Sequence, residues 1–235
     1  MAVLTAEQIE ELRGFDTPTI SNAIERFNVR PRTEGFAGPH VRSVIDYARP
    51  MVGYACTVRV SALEPPSQEQ LDLVFAFYGR LEATPSPSIA VVQDMDDASI
   101  GSFWGEVNAS VCKSLGCIGT ITDGGVRDID EVAELGFGYH ARHVLVSHAY
   151  VHVVEHDIPV EIDGLAVNPG DLLHADKHGI VLIPAEVAPQ LAEACRKTQY
   201  AEEPVVRGCR ERSYQNVSLE DIRRWRNEMQ KRRSE

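Results

Sequence analysis

The sequence lacks the features that mark several large classes of protein. Among its 235 residues, 23 Lys and Arg stand against 35 Asp and Glu, so the formal net charge is −12. The chain therefore lacks the positive field that binding to nucleic-acid phosphates requires. No apolar run approaches the roughly 18 residues of a membrane-spanning helix, and the charged N-terminal stretch does not have the pattern of a signal peptide. We expect a cytoplasmic protein whose partners include neither nucleic acid nor a membrane.

Cysteine pairs and several well-known catalytic motifs are also missing. The five cysteines form neither CxxC pairs nor an even set, which indicates reduced thiols in the cytoplasm. The sequence has no P-loop, no GxSxG and no HExxH. A GxGxxA pattern at 136–141 follows a predicted helix instead of joining a strand to a helix, so it does not indicate a dinucleotide site.

Helical and strand patterns alternate along the chain. Alternation and β-branched content predict a strand over 52–63, and the region 140–184 is mainly β. Between them, the sequence predicts a helix at about 105–116 and a strand over 117–122, with a further helix from Asp128 to Leu135. Mixed strands and helices without a strict βαβ period predict a single α/β domain with a partly antiparallel sheet.

The end of the chain has a different character. We expect residues 1–200 to form the α/β domain and residues 201–235 to form a C-terminal helical extension. The extension carries a basic stripe on an acidic protein, which predicts contact with a neighbouring subunit, although a solvated helix would have the same pattern. The stripe consists of Arg223, Arg224, Arg226, Arg232 and Arg233.

Histidines at a spacing of four are a further candidate for a metal site. His148, His152 and His156 would stack on one face of a helix, but their surroundings are rich in β-branched residues. We therefore interpret them as part of a solvated or interface strand. His174 and His178, on either side of a predicted turn, are interpreted in the same way.

The stretch from Gly101 to Glu131 contains the strongest candidate site. Gly101 and Gly105 precede a predicted helix, whose first amides would point outward unpaired and form a natural carboxylate site. Arg127 offers a planar fork for a second pair of oxygens, and Asp128 offers a hard oxygen ligand for a divalent ion. Alternatively, Asp128 only caps the helix that it begins.

The spacing of these residues resembles that of the RraA-like family, which includes class II 4-hydroxy-4-methyl-2-oxoglutarate / 4-carboxy-4-hydroxy-2-oxoadipate aldolases. The family signature is a glycine and an acid, some twenty residues, Arg-Asp, two residues and an acid. Here Glu106 is followed by twenty residues and then by Arg127, Asp128, two residues and Glu131. The segments GYACTV, GTITDGGVRD and VNPGDLLHADKHGIVLIP also match.

The resemblance implies a fold, an assembly and a set of roles. The fold is a single α/β domain of the swivelling β/β/α type, assembled as homotrimers or hexamers with sites at subunit boundaries. The amides of Gly105, Glu106, Val107 and Asn108 would hold a pyruvate carboxylate. Arg127 would bind the keto oxygen, Asp128 would anchor Mg²⁺ or Mn²⁺, and Glu106 would orient metal-bound water or assist proton transfer.

The implied activity is a divalent-metal-dependent aldolase that cleaves a 4-hydroxy-2-oxo acid to pyruvate and a second carbonyl compound. Oxaloacetate decarboxylation passes through the same enolate and is a second expected reaction. A lysine Schiff base is not favoured, because neither Lys113 nor Lys177 sits in an obvious apolar segment. Two alternatives remain open: a non-catalytic regulator that binds a ribonuclease, and a metal-dependent family member that acts on another sugar or keto acid.

Overall fold

The computed structural model describes residues 3–46, 48–212 and 216–234. Seven helices occur in this part of the chain: α1 Ala6–Leu12, α2 Thr17–Glu25, α3 Gln68–Ala83, α4 Glu106–Ser114, α5 Ile129–Leu135, α6 Ala188–Arg210 and α7 Leu219–Arg233. The strands are β1 Arg42–Ser43, β2 Met51–Ser61, β3 Ser88–Asp94, β4 Ser102–Trp104, β5 Cys117–Thr122, β6 Gly125–Val126, β7 Gly138–Ala141, β8 His143–Val144, β9 His152–His156, β10 Val160–Ile162, β11 Leu165–Val167, β12 Leu172–Asp176 and β13 Gly179–Ile183. The predicted α/β class is confirmed.

An eight-stranded sheet forms the centre of the molecule. Its order is β1-β7-β5-β3-β2-β12-β13, and β9 also pairs with β2. Strands β2, β3, β5 and β7 are parallel neighbours, whereas β12, β13 and β9 join antiparallel. Helices α3, α4 and α5 lie in the crossovers that join the three parallel pairs. The sheet is therefore mixed, as the irregular strand pattern predicts.

Strand β2 shows why this sheet is stable. Nearly all of its eleven residues are buried, because it lies in the middle of the sheet and both of its faces are covered. Cys56, Val58 and Val60 alternate onto a face that packs with α3 and α4. Met51 and Ala55 belong to a different apolar cluster, which includes β10 and β11. A nearly continuous apolar run is the pattern expected of such a doubly covered strand.

A second, three-stranded sheet stands apart from the large one. Its order is β4-β6-β8, and both of its pairings are parallel. In β4, Trp104 is fully buried and its ring packs edge-on against Phe103 with 5.6 Å between centroids. This small sheet carries the candidate site, because the segments that follow β4 and β6 leave it side by side.

The C-terminal extension folds back on its own chain. Helix α7 packs along α6, with Met229 buried between them. Arg232 forms an ion pair with Glu203 at 3.2 Å, and Arg233 forms one with Glu202 at 3.0 Å. Part of the basic stripe is thus directed to α6 of the same chain. Helix α6 itself runs continuously through residue 200.

Two regions differ from the sequence expectation. The β-rich stretch 143–156 is not one strand, because a turn around Ala149, with φ of 45°, separates β8 from β9. Residues 28–50 are mostly loop, as predicted, but include the short strand β1. None of the described helices is both long enough and apolar enough to cross a membrane.

Candidate functional site

The two ends of the Gly101–Glu131 stretch meet because β4 and β6 are parallel neighbours. Ser102 lies opposite Gly125, and Trp104 lies opposite Val126. The Arg127 amide donates to the Trp104 carbonyl at 3.0 Å. Since the carboxyl ends of paired parallel strands lie at the same edge, the residues that follow them are brought together. The twenty-residue spacing is therefore the length of chain needed to form α4 and β5 and to return beside β4.

Asp128 connects the two segments directly. One oxygen of its carboxylate, Oδ2, accepts a hydrogen bond from the backbone amide of Glu106 at 2.9 Å. Its backbone adopts the left-handed conformation, with φ of 55° and ψ of 50°, at the N-cap position of α5. Even so, its side chain makes no capping bond to α5. The alternative that Asp128 merely caps its own helix is wrong: the carboxylate caps α4, across the site.

Gly105 is required by the close approach of these segments. A Cβ atom at this position would lie 2.6 Å from Asp128 Oδ2 and 3.1 Å from Arg127 Nε. The φ of Gly105 is −154°, which any residue adopts, so the backbone does not explain the glycine. The glycine is explained by the space that the side chains of Asp128 and Arg127 occupy.

Arg127 and Asp128 are partly open to solvent. Their side chains are 36% and 37% exposed, and Arg127 Nε lies 3.9 Å from Asp128 Oδ2. At that distance the two groups attract one another without a hydrogen bond. The rest of the guanidinium fork is available to a ligand.

The predicted carboxylate site at the start of α4 needs one correction. The amide of Glu106 is not free, since the Asp128 carboxylate occupies it. The next two amides, those of Val107 and Asn108, lie in the first turn, where no preceding helical carbonyl can accept from them. A ligand carboxylate would therefore meet the amides of Val107 and Asn108 together with Arg127, while the Asp128 carboxylate keeps the Glu106 amide. The role of the Gly105 amide stays a prediction.

The side chains of this first turn point in different directions. Glu106 is exposed, and Val107 is 77% exposed. The Asn108 side chain is held instead by the protein: its Nδ2 donates to the Phe103 carbonyl at 2.6 Å, and its Oδ1 accepts from the Tyr78 hydroxyl. Tyr78 on α3 thus fixes the start of α4. No sequence motif indicates this residue, because the contact joins positions 30 residues apart.

Two further polar groups lie buried beside the site. The Tyr139 hydroxyl and the Trp104 indole N–H have no hydrogen-bond partner in the described chain. Burial raises the pKa of Tyr139, and the negative charge of Asp128 raises it further. The hydroxyl therefore stays protonated beneath Asp128.

Asp128 fits a divalent ion of the Mg²⁺ type. Mg²⁺ keeps several waters and is bound through one or two carboxylates plus oxygens of the substrate. A single, partly exposed carboxylate meets that requirement. Among the described residues, no three His, Cys, Asp or Glu side chains come close enough to hold a metal by themselves.

The histidines singled out in the sequence differ from one another in burial and contacts. His148 is in the turn before β9, and His152 is buried, with Nδ1 2.9 Å from the Tyr150 carbonyl. The solvated interpretation is wrong for His174, which is fully buried and contacts the Thr17 hydroxyl at 2.9 Å. Burial lowers its pKa to about 4. It is a neutral core histidine.

Comparison with known proteins identifies the family. The family model RraA-like, described as Aldolase/RraA, matches residues 17–182, well over half of the chain. The chain belongs to the RraA-like family. It is 27% identical over 154 residues to a Halalkalibacterium halodurans protein named "Putative 4-hydroxy-4-methyl-2-oxoglutarate aldolase", with 65% of this chain and 69% of that protein covered. An Albidiferax ferrireducens protein of the same name is 34% identical over 79 residues, covering 33% and 45% of the two chains.

Solved structures of similar fold extend over most of the chain. An uncharacterized protein from Pseudomonas syringae has a TM-score of 0.72 at 22% identity and covers 94% of this chain and 95% of its own. Streptomyces coelicolor RraAS2, described as an unusual member of the RNase ES inhibitor RraA protein family, has a TM-score of 0.68 at 21% identity, with 86% and 97% covered. At these identities the likeness shows the fold alone, and it confirms the family's α/β architecture.

Proposed function

We propose that this protein is a divalent-metal-dependent aldolase that cleaves a 4-hydroxy-2-oxo acid to pyruvate and a second carbonyl compound. The observation that carries the proposal is the juxtaposition of Arg127, Asp128 and the first turn of α4 at one edge of the small sheet. Membership of a family with relatives named as aldolases supports it.

The described groups supply most of what the cleavage needs. The amides of Val107 and Asn108 hold the substrate carboxylate at the positive end of α4. The Arg127 guanidinium donates to the 2-oxo oxygen. When the C3–C4 bond breaks, the electron pair moves onto that oxygen, so Arg127 stabilises charge where it develops.

Proton transfers complete the reaction. The 4-hydroxyl loses its proton as the new carbonyl forms, and C3 gains one to give pyruvate. We assign these transfers to Glu106, and the exposure of this side chain on the first turn of α4 supports the assignment. Mg²⁺ or Mn²⁺ bound at Asp128 would supply electrophilic stabilisation of the same oxygen. Oxaloacetate decarboxylation needs the same stabilised enolate and is proposed as a second reaction.

We propose a homotrimer or hexamer as the working assembly. Three valines are exposed in the single chain: Val107 on α4 at 77%, Val144 on β8 at 60%, and Val146, shortly after β8, at 95%. Burial of such side chains between subunits would be favourable and would enclose the partly open Arg127–Asp128 pair. Light scattering on the purified protein measures the assembly directly.

The decisive assay is pyruvate release from a panel of 4-hydroxy-2-oxo acids and oxaloacetate. We expect turnover with Mg²⁺ or Mn²⁺, loss of turnover in EDTA, and recovery when the metal is returned. Activity that persists in EDTA, together with borohydride trapping of substrate on a lysine, would contradict the metal mechanism.

Two other functions give different results in the same assay. A non-catalytic regulator would release no pyruvate and would instead bind and inhibit a ribonuclease. A metal-dependent family member with another sugar or keto acid as substrate would be inactive on the panel but would still bind Mg²⁺. Calorimetry with Mg²⁺, alongside a ribonuclease inhibition assay, distinguishes the three.

A further inference from the structure

A cavity of about 640 Å³ has neither Arg127 nor Asp128 in its lining. It is bounded by the turn between α1 and α2, by the loop that leads into β2, and by the hairpin turn between β12 and β13. Its volume falls within the range of pockets that hold small organic molecules. The proposed aldolase reaction uses none of its residues.

An oriented histidine lines this cavity. His178 Nδ1 lies 3.1 Å from Oδ1 and 3.3 Å from Oδ2 of Asp176. The Asp176 side chain is only 10% exposed, whereas that of His178 is 43% exposed. A buried carboxylate against Nδ1 places the proton on that nitrogen and leaves the opposite nitrogen, Nε2, available to a ligand. The described chain offers Nε2 no partner of its own.

The carboxylates of the cavity wall already have donors. Asp176 accepts from the amides of Thr17 at 2.9 Å and His178 at 2.8 Å. Asp16 accepts from the amide of Thr19 at 2.8 Å, as the N-cap of α2. The third aspartate of the lining, Asp46, is exposed, and no donor among the described residues bonds to its side chain. Most acceptor capacity on the wall is therefore used within the protein.

The cationic side chains of the same wall differ in how many of their donors the protein uses. Arg13 and Arg49 both pair with the carboxylate of Glu10, and Arg13 Nε also donates to the Pro50 carbonyl at 3.2 Å. Lys177 is exposed, lies next to His178 in the hairpin turn, and has no acceptor within the described residues. Unused donors of this kind match the oxygens of carboxylate and phosphate groups.

We propose that this cavity is a second ligand site, which binds a small organic acid or phosphate through Lys177 and His178. Asp176 acts as the positioning residue that holds the imidazole toward the ligand. Carboxylate and phosphate ligands share this recognition chemistry, and separate titrations tell them apart.

The test is calorimetric titration of the full-length protein with citrate and, separately, with inorganic phosphate. We expect one of them to bind with a Kd of about 1 mM or tighter. Lys177→Ala and His178→Ala should each weaken binding about tenfold, the effect typical of one hydrogen bond to a charged group. His143→Ala, which changes an exposed histidine on β8, is the matched control and should bind like the wild type.

NMR gives an independent readout. The His178 ring signals should shift on titration, while those of His143 should not. Absence of binding by both anions would overturn the proposal, and so would unchanged affinity in Lys177→Ala. Because Lys177 is exposed and forms no hydrogen bond or ion pair within the described chain, its substitution should test the site with little effect on folding. Pyruvate release is not a readout here, so the outcome is independent of the proposed aldolase activity.

Discussion

The carboxylate of Asp128 accepts a hydrogen bond of 2.9 Å from the backbone amide of Glu106, which lies 22 residues earlier in the sequence. This contact joins the acid after β6 to the helix that starts after β4, and it satisfies an amide at the start of α4. Binding of a divalent ion by the same, partly exposed side chain is the second role that we propose for Asp128. The two roles can be separated because they depend on different properties of the side chain.

Substitution of Asp128 separates capping from metal binding. Asp128→Asn keeps an oxygen that can accept from Glu106, so the melting temperature should change little. Loss of the negative charge should raise the Mg²⁺ concentration for half-maximal activity at least about tenfold, and excess Mg²⁺ should restore part of the turnover. Asp128→Ala should in addition lose about 1 kcal/mol of unfolding free energy with the cap. Wild-type Mg²⁺ dependence in both variants would assign Asp128 to structure alone.

Arg127→Lys tests stabilisation of the enolate. A lysine ammonium keeps the charge but cannot reproduce the planar fork. Turnover should fall about 10²–10³-fold, the usual effect of one lost oxyanion contact, while the melting temperature stays near that of the wild type. The measurements are initial rates at saturating Mg²⁺ and a thermal melt. Equal losses of stability and rate would instead indicate a folding role.

Gly105→Ala tests the close approach of the two segments. The added Cβ would lie 2.6 Å from Asp128 Oδ2, so the carboxylate must move away from the Glu106 amide. We expect a loss of about 1–3 kcal/mol in unfolding free energy together with weaker Mg²⁺ activation. Gly79→Ala on α3 is the matched control, since its Cβ meets nothing within 4 Å and helix propensity favours alanine by up to about 1 kcal/mol. Similar behaviour of both variants would contradict this account of Gly105.

Tyr78→Phe tests how the start of α4 is held. Without the hydroxyl, Asn108 Oδ1 loses its donor, and the turn that carries the Val107 and Asn108 amides is less well fixed. In the proposed reaction those amides hold the substrate carboxylate before and during bond cleavage, so KM should rise several-fold with little change in kcat. Tyr150→Phe, at an exposed tyrosine, provides the control. A fall in kcat at constant KM would contradict the role of Tyr78 in substrate binding.

The buried histidines predict a loss of stability in mild acid. Desolvation lowers the pKa of His174 and of His140 to about 4, below the ordinary value of 6.5. The unfolded chain therefore binds more protons between these values, and stability present above pH 6.5 is lost as the pH falls toward 4. Desolvation raises the pKa of Asp123 to about 6, so this group binds a proton more readily in the folded protein and increases stability as the pH falls.

Melting temperatures from pH 7.5 to 4.5 check this expectation. His174→Gln keeps polar atoms near Thr17 but does not titrate, so its melting temperature should fall less steeply with acidification than that of the wild type. The contribution of Asp123 is common to both proteins and cancels in the comparison. Parallel curves would contradict the assignment of acid sensitivity to His174.

Local patterns predicted the elements that carry the site, but not the contacts between them. The helix predicted at 105–116 is found at 106–114, and the strand at 117–122 is found where predicted, because both depend on short-range periodicity. The bond from Glu106 to Asp128 depends on parallel pairing of β4 with β6, which short-range patterns do not specify. The burial of His174 was not predicted for the same reason, because it results from packing of α2 against β12, which are distant in the sequence.

The parallel pairing of β4 with β6 also restricts how relatives can vary in length. An extra residue within β5 would turn its inward side chains outward, because successive residues of a strand face opposite sides of the sheet. An extra residue within α4 would rotate its buried face by about 100°. Insertions are tolerable only where the chain turns, at Gly116, which has a φ of 88°, or at 123–124. Family members in which Glu106 and Arg127 are spaced differently should therefore carry the change at one of these two turns.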